Sequence, residues 1–411
     1  MQRSEANDGR WARRAFLRSG ALTGTMAGLP FARGAAQAPE NGRVRHYAKL
    51  GRTGLQISDI SFGASRLRRG ETDVVRHAVD RGVNYFDTAD SYTGGQSEMV
   101  IGEALSGMRD RHYIATKTMA GAYDSADRIM QALEGSLKRL KTDYVDVYFN
   151  HAVNDVQRLE NDAWFEFAER AKAQGKIRFT GISGHGGRLN ECLQHALDED
   201  LVDVILVAHN FGQDPAFYEG LTRSWDLVAT QPDLPATLAR AKRDDIGVIA
   251  MKTLVGARLN DMRPYERDGS TFAQAAFRWT LSNPHVDGLI ISMTSTDRID
   301  EFLAASGTGA PGPKDLALLR RYAQLNSVTY CRQACSACES SCPYDVPIPD
   351  VLRMRMYATD YQDVDFARRE YAALTTDAAA CLSCSGEPCA SACIYGLDVS
   401  ALCAPTHRML A

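Results

Sequence analysis

The sequence predicts an α/β protein in which a (β/α)8 barrel, or TIM barrel, is followed by a smaller, mainly helical domain rich in cysteine. From residue 44 to residue 306, eight short apolar segments alternate with amphipathic helical segments, which is the pattern of parallel strands that are each followed by a helix. A Gly/Pro-rich segment then separates this region from eight closely spaced cysteines. With 411 residues, the chain is also too long for one small core.

The elements of the barrel follow from the apolar periodicity. Strands are predicted at residues 57–62, 85–87, 113–116, 144–149, 177–182, 202–208, 248–251 and 289–291, and helices at 73–81, 98–105, 126–140, 160–174, 189–198, 234–243 and 272–281. A doubly wound sheet is the alternative, but no Gly-x-Gly-x-x-Gly motif opens the first helix.

The predicted domains are the barrel at 44–306, a linker at 307–316 and the cysteine-rich domain at 317–411. A long insertion at 211–234 follows the sixth strand, and we expect it to shape substrate access. The formal net charge of −4 offers no reason to expect a nucleic acid or an anionic membrane as partner. No apolar run reaches the roughly 18 residues that span a bilayer.

The N-terminal residues 1–38 have the composition of an export signal. Arg13 and Arg14 precede Phe16 and Leu17, a weakly apolar stretch follows at 20–32, and small residues surround Gln37. The adjacent arginines resemble a twin-arginine signal, which predicts a periplasmic protein exported in the folded state. The alternative is a disordered basic tail.

The cysteines form two blocks that predict iron–sulfur clusters. The first reads Cys331-x3-Cys335-x2-Cys338-x3-Cys342-Pro, and the second reads Cys381-x2-Cys384-x4-Cys389-x3-Cys393. This spacing resembles the two-cluster ferredoxin run, stretched once in each block, and implies one or two 4Fe–4S clusters in a ferredoxin-like domain. In that pattern the fourth cysteine of each block crosses to the other cluster, so Cys393 would join the first three and Cys342 would join Cys381, Cys384 and Cys389. Structural zinc and disulfides are the alternatives.

Titratable residues follow three consecutive predicted strands. Asp87 ends the second strand and Tyr92 follows in its loop, Lys117 closes the third strand, and His151 closes the fourth. Barrel enzymes keep their chemistry at these strand ends, so the four side chains are expected to meet. Lys117, charged beside Asp87, would lower the pKa of the Tyr92 phenol. The phenol could then protonate a carbonyl oxygen, which His151 would orient.

Four segments resemble the aldo/keto reductase family: KLGRTGL at 49–55, FDTADSY at 86–92, ATK at 115–117 and GIS at 181–183. The resemblance covers roughly residues 44–303 and extends, with the cysteines, to the iron–sulfur branch of the family. It implies Tyr92 as general acid, Asp87 and Lys117 as the pair that tunes it, and His151 as the residue that orients the carbonyl. It also implies an NADP(H) groove lined by Gly63, Ser65, Ser183, Asn210, Lys252, Ser292 and Arg298.

Three positions depart from the family pattern and bear on the cofactor. Leu206 replaces a glutamine that holds the nicotinamide amide, Met251 replaces a stacking aromatic residue, and Ser292 replaces a lysine for the ribose 2′-phosphate. Arg298 could still pair with that phosphate. The function expected is NADP(H)-dependent reduction of an aldehyde, a ketone or a sugar, with a redox partner protein for the clusters. The alternative is an exported electron-transfer protein that uses the barrel as a scaffold.

Overall fold

The structure, a computed structural model, describes residues 42–185, 188–213, 233–254, 262–266, 270–326, 331, 336–359, 364–394 and 396–411. The predicted export signal at 1–38, most of the insertion at 211–234 and Cys335 lie outside the described residues.

Eight parallel strands of the described chain form a closed barrel. They are β3 (Ile60–Gly63), β4 (Tyr85–Asp87), β5 (Tyr113–Thr118), β6 (Val145–Asn150), β7 (Ile177–Gly184), β8 (Val204–Ala208), β9 (Gly247–Met251) and β10 (Gly288–Ser292). Each strand pairs with the next in sequence, and β10 pairs with β3 to close the barrel. The predicted (β/α)8 architecture is therefore confirmed.

The predicted first strand at 57–62 is two strands. A hairpin of β1 (Tyr47–Lys49) and β2 (Gln56–Ser58) precedes the barrel, and β3 begins only at Ile60. The chain turns at Asp59, whose carboxylate accepts hydrogen bonds from the Ile60 N–H at 2.9 Å and the Ser306 hydroxyl at 2.6 Å. Apolar periodicity runs through this turn, because Ile57 and Ile60 are both buried.

Helices cover the outside of the barrel. They are α1 (Thr72–Asp80), α2 (Gln96–Ala104), α3 (Ala126–Leu140), α4 (Asp162–Ala173), α5 (Leu189–Asp198), α6 (Leu234–Arg243), α7 (Phe272–Leu281) and α8 (Thr296–Leu303). The seven predicted helices agree with α1 to α7 to within two residues at each end. Local signals explain this accuracy: Ser125 caps α3, and Thr271 with Gln274 forms a capping box at the start of α7.

Two apolar layers hold the barrel together. Inside it, side chains such as Tyr85, Phe149, Leu206 and Ile249 form one buried cluster, which the hairpin residues Leu50, Leu55 and Ile57 extend. Between the strands and the helices lies a larger cluster. Because most strand positions are buried, the strands are rich in apolar residues, and this made them recognisable in the sequence.

The predicted linker at 307–316 is shorter than expected. Helix α9 (Pro313–Asn326) begins inside it, and Asp315 accepts a hydrogen bond from the Gly312 N–H at 3.0 Å. Proline is favourable at the first position of a helix, where its missing N–H has no intrahelical partner. Pro313 therefore marks a helix start and not a continuing linker.

The described part of the cysteine-rich region is helical, as predicted. It contains α10 (Ile348–Thr359), α11 (Val364–Ala372), α12 (Pro388–Ala392) and α13 (Val399–Leu410), which pack around a buried cluster of their own. A ferredoxin-like fold is not confirmed. Within the described residues, we find no helix with the length and apolarity needed to cross a membrane.

Two helical glycines offer a test of the packing between α2 and α3. A Cβ at Gly102 would lie 2.4 Å from the Leu140 carbonyl oxygen, so Gly102→Ala should destabilise the fold by about 1–3 kcal/mol. A Cβ at Gly135 would meet only the flexible end of Arg139, at 3.3 Å, so Gly135→Ala should stabilise α3 by about 0.4–1 kcal/mol. Thermal unfolding of both variants checks this, and equal shifts in Tm would contradict it.

Candidate active site

The carboxyl ends of the barrel strands surround a cavity of about 790 Å³. The four predicted catalytic residues, Asp87, Tyr92, Lys117 and His151, all line it. Six of the seven predicted cofactor residues line the same cavity: Gly63, Ser65, Ser183, Lys252, Ser292 and Arg298. The barrel therefore brings together side chains from distant parts of the sequence, as the strand-end pattern predicted.

A buried ion pair lies at the base of this cavity. The Lys117 Nζ donates to Asp87 Oδ1 at 2.6 Å and to the Thr88 carbonyl oxygen at 2.6 Å, and both charged side chains are 1% exposed. Removing one partner would leave the other charge buried and unpaired, which costs about 3–5 kcal/mol in comparable pairs. The Asp87 Oδ2 has no hydrogen-bond partner among the described residues.

Tyr92 is held above this pair by a constrained loop. Its hydroxyl lies 3.5 Å from Lys117 Nζ, at the limit of a hydrogen bond. The next residue, Thr93, has φ of 50°, and its hydroxyl donates to the Leu67 carbonyl oxygen at 2.7 Å. A positive φ in a β-branched residue is strained and persists only where surrounding contacts enforce it. The loop therefore fixes the direction of the phenol.

Burial outweighs the lowering of the Tyr92 pKa that the sequence predicts from Lys117. Burial raises the pKa of the Tyr92 phenol well above its ordinary value, and the negative charge of Asp87 adds to the rise. The charge of Lys117 is offset by Asp87 at 2.6 Å, and its own pKa is lowered by burial. Tyr92 is thus fully protonated at neutral pH, which suits a proton donor.

His151 lies beside Tyr92 in the cavity. Its ring packs edge-on against Tyr92 with 5.6 Å between centroids. Burial lowers the pKa of His151 well below its ordinary value, and the nearby charges of Lys117 and Arg158 lower it further. The imidazole is therefore neutral, with one N–H donor and one acceptor nitrogen. Its Nδ1 has no hydrogen-bond partner among the described residues.

The predicted cofactor residues differ in what they do. Ser65 and Ser292 share a hydrogen bond of 2.9 Å across the seam between β3 and β10, and both hydroxyls lie at the cavity. Gly63 allows this seam to close, because a Cβ there would lie 2.9 Å from the carbonyl carbon of Ile291. Arg298 is paired with Glu301 at 2.5 Å, and both residues line the cavity.

Two of the predicted cofactor residues, Ser183 and Asn210, make hydrogen bonds to the backbone around the cavity. The Ser183 hydroxyl accepts from the Ala152 N–H at 3.1 Å, which holds the backbone just after His151. Asn210 does not line the cavity, contrary to the prediction: its amide donates to the Lys252 carbonyl oxygen at 3.3 Å and its Oδ1 accepts from Gly212. Asn210 is 1% exposed, so it supports the cavity wall from behind.

Two residues that depart from the family pattern, Leu206 and Met251, lie in different environments in the structure. Leu206 belongs to the apolar cluster inside the barrel and is 1% exposed. Met251 lines the cavity, where its flexible thioether can contact a flat ring. Leu206 is thus a core residue that does not line the cavity, whereas Met251 does.

Sequence reasoning missed several residues that line the cavity. His185 and Arg66 lie just beyond the ends of β7 and β3, so the strand-end rule could have found them. Met356, Tyr357, Phe366 and Glu370 come from α10 and α11 of the cysteine-rich region. No local signal in the sequence places these two helices at the mouth of the barrel.

Nine of the cysteines lie among the described residues. Besides Cys192 and Cys403, which are buried, they are Cys331, Cys338, Cys342, Cys381, Cys384, Cys389 and Cys393. Among the described residues, no three His, Cys, Asp or Glu side chains are arranged to hold a single metal ion. The cysteines nevertheless share one environment, since Cys338 is part of the C-terminal buried cluster and Cys331, Cys342, Cys381, Cys389 and Cys393 pack against it.

Comparisons with known proteins match the barrel. The model of the Aldo/keto reductase family matches residues 60–263. L-galactose dehydrogenase of Arabidopsis thaliana is 27% identical over 294 residues, which are 62% of this chain and 86% of that protein. An uncharacterized oxidoreductase of Bacillus subtilis, YqkF, is 31% identical over 283 residues, covering 63% of this chain and 90% of that protein.

A solved structure supports the same fold. The aldo/keto reductase from Klebsiella pneumoniae in complex with NADP and acetate superposes with a TM-score of 0.52 at 24% identity, covering 68% of this chain and 96% of that one. The resemblance read from the sequence motifs is thereby confirmed for the barrel. The chain belongs to the aldo/keto reductase family of oxidoreductases.

Proposed function

We propose that this protein reduces the carbonyl group of an aldehyde or ketone with NADPH, using Tyr92 as general acid. The observation that carries the proposal is the meeting of Asp87, Tyr92, Lys117 and His151 in one cavity, with Lys117 Nζ in reach of both Asp87 and the Tyr92 hydroxyl. A protonated phenol, a fixed ammonium and a neutral imidazole are the groups that a carbonyl oxygen needs when negative charge develops on it.

The roles of these residues follow from their protonation states. NADPH, when bound, supplies the hydride that adds to the carbonyl carbon. The Tyr92 Oη donates its proton to the carbonyl oxygen, so that an alcohol is formed, and the resulting phenolate recovers a proton from solvent. Lys117, close to that oxygen, stabilises the transient phenolate charge. Neutral His151 can donate a hydrogen bond to the same carbonyl oxygen without contributing a second positive charge.

The cavity has groups suited to a dinucleotide. Its volume of about 790 Å³ exceeds the needs of a small carbonyl compound, and the Ser65 and Ser292 hydroxyls with the Arg298 guanidinium offer donors for phosphate and ribose oxygens. Glu301 competes for Arg298 at 2.5 Å, so a 2′-phosphate would have to displace this carboxylate or share the guanidinium with it. Arg298 still fits NADP(H), since Arg presents five N–H donors.

Substitution of Tyr92 tests the proposal. Tyr92→Phe removes the proton donor and keeps the ring, so kcat for aldehyde reduction should fall by about 10²- to 10⁴-fold while NADPH binding, followed by nicotinamide fluorescence, is retained. Tyr123→Phe is the matched control, because Tyr123 is 94% exposed and does not line the cavity. If the Tyr92→Phe variant instead transferred electrons through its clusters as fast as the wild type, the protein would be an electron carrier that uses the barrel as a scaffold.

We also infer that residues 1–38 export the folded protein to the periplasm through the twin-arginine pathway. Free nicotinamide nucleotides are scarce outside the cytoplasm, so the nucleotide must travel bound and be recycled in place by a second substrate. Protein purified from the periplasm should then release NADP(H) in a stoichiometric amount when it is denatured, as measured by chromatography of the supernatant. The inference would be contradicted if protein purified from the periplasm contained no nucleotide while protein purified from the cytoplasm did.

We further infer that the two cysteine blocks hold one or two 4Fe–4S clusters. The spacing of the two blocks and the shared environment of the thiols support this. Burial raises the pKa of the Cys381 thiol, and Cys342, Cys389 and Cys384 are close enough to raise it further. These are the four cysteines that the crossed pattern groups together. Their proximity supports a shared cluster, in which each thiolate would bind a different iron atom.

Double substitutions test this grouping. Cys342→Ala and Cys381→Ala should each lower the iron content by about half, and the double variant should lose no more, because both would ligate one cluster. Cys342→Ala combined with Cys338→Ala should remove both clusters. Iron analysis and EPR of the reduced protein measure this, with Cys192→Ala as the control outside the blocks. Zinc in place of iron would contradict the assignment. So would an iron loss in the Cys342→Ala/Cys381→Ala double variant that equals the sum of the losses in the two single variants.

A further inference from the structure

Two helices from outside the barrel close one side of the catalytic cavity. Met356 and Tyr357 of α10 and Phe366 and Glu370 of α11 line the same cavity as Tyr92 and His151. We call these four side chains the helical wall. Phe366 and Glu370 are four residues apart and so lie on one face of α11. The wall is thus presented by regular elements and not by loops.

The wall is attached to the barrel by polar contacts. The Lys252 Nζ, at the end of β9, donates to the Tyr357 hydroxyl at 2.9 Å and lies 5.4 Å from the centre of its ring. On the same helix, Arg353 contacts the His185 ring, donates to the His185 carbonyl oxygen at 3.3 Å and pairs with Asp350 at 2.9 Å. The position of Tyr357 over the cavity is therefore fixed from two sides.

Lys252 shows the marks of a functional position. Its φ of 57° is unusual for a residue with a long side chain, and such strain persists only where neighbouring contacts enforce it. Burial lowers the pKa of Lys252 well below its ordinary value, and the nearby charge of Arg353 lowers it further, whereas Glu370 opposes this. Glu370 is itself affected by burial, which raises the pKa of its carboxyl group.

The wall combines donors, an acceptor and apolar surface. Tyr357 and Lys252 can donate hydrogen bonds, Glu370 can accept them, and Met356 and Phe366 offer apolar contact between them. Phe366 packs edge-on against Tyr357 at 4.8 Å between ring centres, so the phenol ring keeps its place even without its hydroxyl. Polar groups in such a partly buried setting favour ligands that form hydrogen bonds with them and disfavour ligands that only displace their water.

We propose that the helical wall, together with Lys252, is the specificity surface of the enzyme and selects carbonyl compounds that carry hydroxyl groups on the carbons next to the carbonyl. The proposal rests on the proposed carbonyl reduction and adds its substrate class. A hydroxyl group both donates and accepts, so it can pair with Glu370 and with Tyr357 or Lys252 at once. A carboxylate substrate would face the Glu370 carboxylate, and an alkyl aldehyde would offer these three groups no hydrogen bond in exchange for the water that it displaces.

Two three-carbon aldehydes that differ in two hydroxyl groups test the proposal. Wild-type holoenzyme should prefer glyceraldehyde to propanal in kcat/KM. Tyr357→Phe and Glu370→Gln should each reduce this preference by about tenfold, through a higher KM for glyceraldehyde. Tyr123→Phe, exposed and outside the cavity, should leave the preference intact. Iron content and circular dichroism confirm that the variants are folded.

A binding measurement separates this proposal from the catalytic one. Saturation-transfer NMR with xylitol and 1-pentanol reports recognition without turnover, and xylitol should give a stronger signal with the wild type than with the Tyr357→Phe variant. Turnover with an unchanged glyceraldehyde preference in both variants would overturn the specificity surface and leave carbonyl reduction standing. Absence of turnover, together with a xylitol signal that disappears in Tyr357→Phe, would overturn carbonyl reduction and leave the surface standing. A wild type that shows neither turnover nor a xylitol signal would overturn both.

Discussion

The pairing of β10 with β3 closes the barrel, and the catalytic site depends on that closure. Gly63 and Ile291 approach so closely at this seam that no side chain fits at position 63. Just beyond the seam, the Ser65 and Ser292 hydroxyls meet at 2.9 Å. Closure leaves no strand edge exposed in the described barrel and directs all eight carboxyl ends to one mouth. Residues far apart in the sequence can then share one cavity.

Within that frame, the buried Lys117–Asp87 pair sets the electrostatics of the site. Two charges that are 1% exposed carry a desolvation penalty, which their bond at 2.6 Å and the Thr88 carbonyl offset. Burial and the pair together decide the state of the neighbours: burial and Asp87 raise the pKa of Tyr92, which stays protonated, and burial and Lys117 lower the pKa of His151, which stays uncharged. The barrel thus provides a proton donor and a neutral hydrogen-bonding ring at the same point.

Helix α10 connects the cysteine-rich region to this chemistry. Its residues Val351, Leu352 and Ala358 belong to the buried cluster around which the cysteines pack, and its residues Met356 and Tyr357 line the cavity. Tyr357 also packs against that cluster. Tyr357 is thus in contact with the cysteine-rich region and, through Lys252, with the barrel. This arrangement gives the appended region a structural role at the cavity.

The order of residues alone was sufficient to predict the eight strands, the helices α1 to α7 and the meeting of Asp87, Tyr92, Lys117 and His151, because apolar strands and polar strand ends are local signals. Helix α8 was not predicted. Three features required the tertiary structure. The break at Asp59 is hidden by apolar residues on both sides, and the pKa of Tyr92 depends on burial, which spacing does not report. The helical wall depends on how α10 and α11 pack against the barrel. Long-range packing is set by the shapes of whole surfaces, and for this reason Tyr357 and Glu370 had no signal in the sequence.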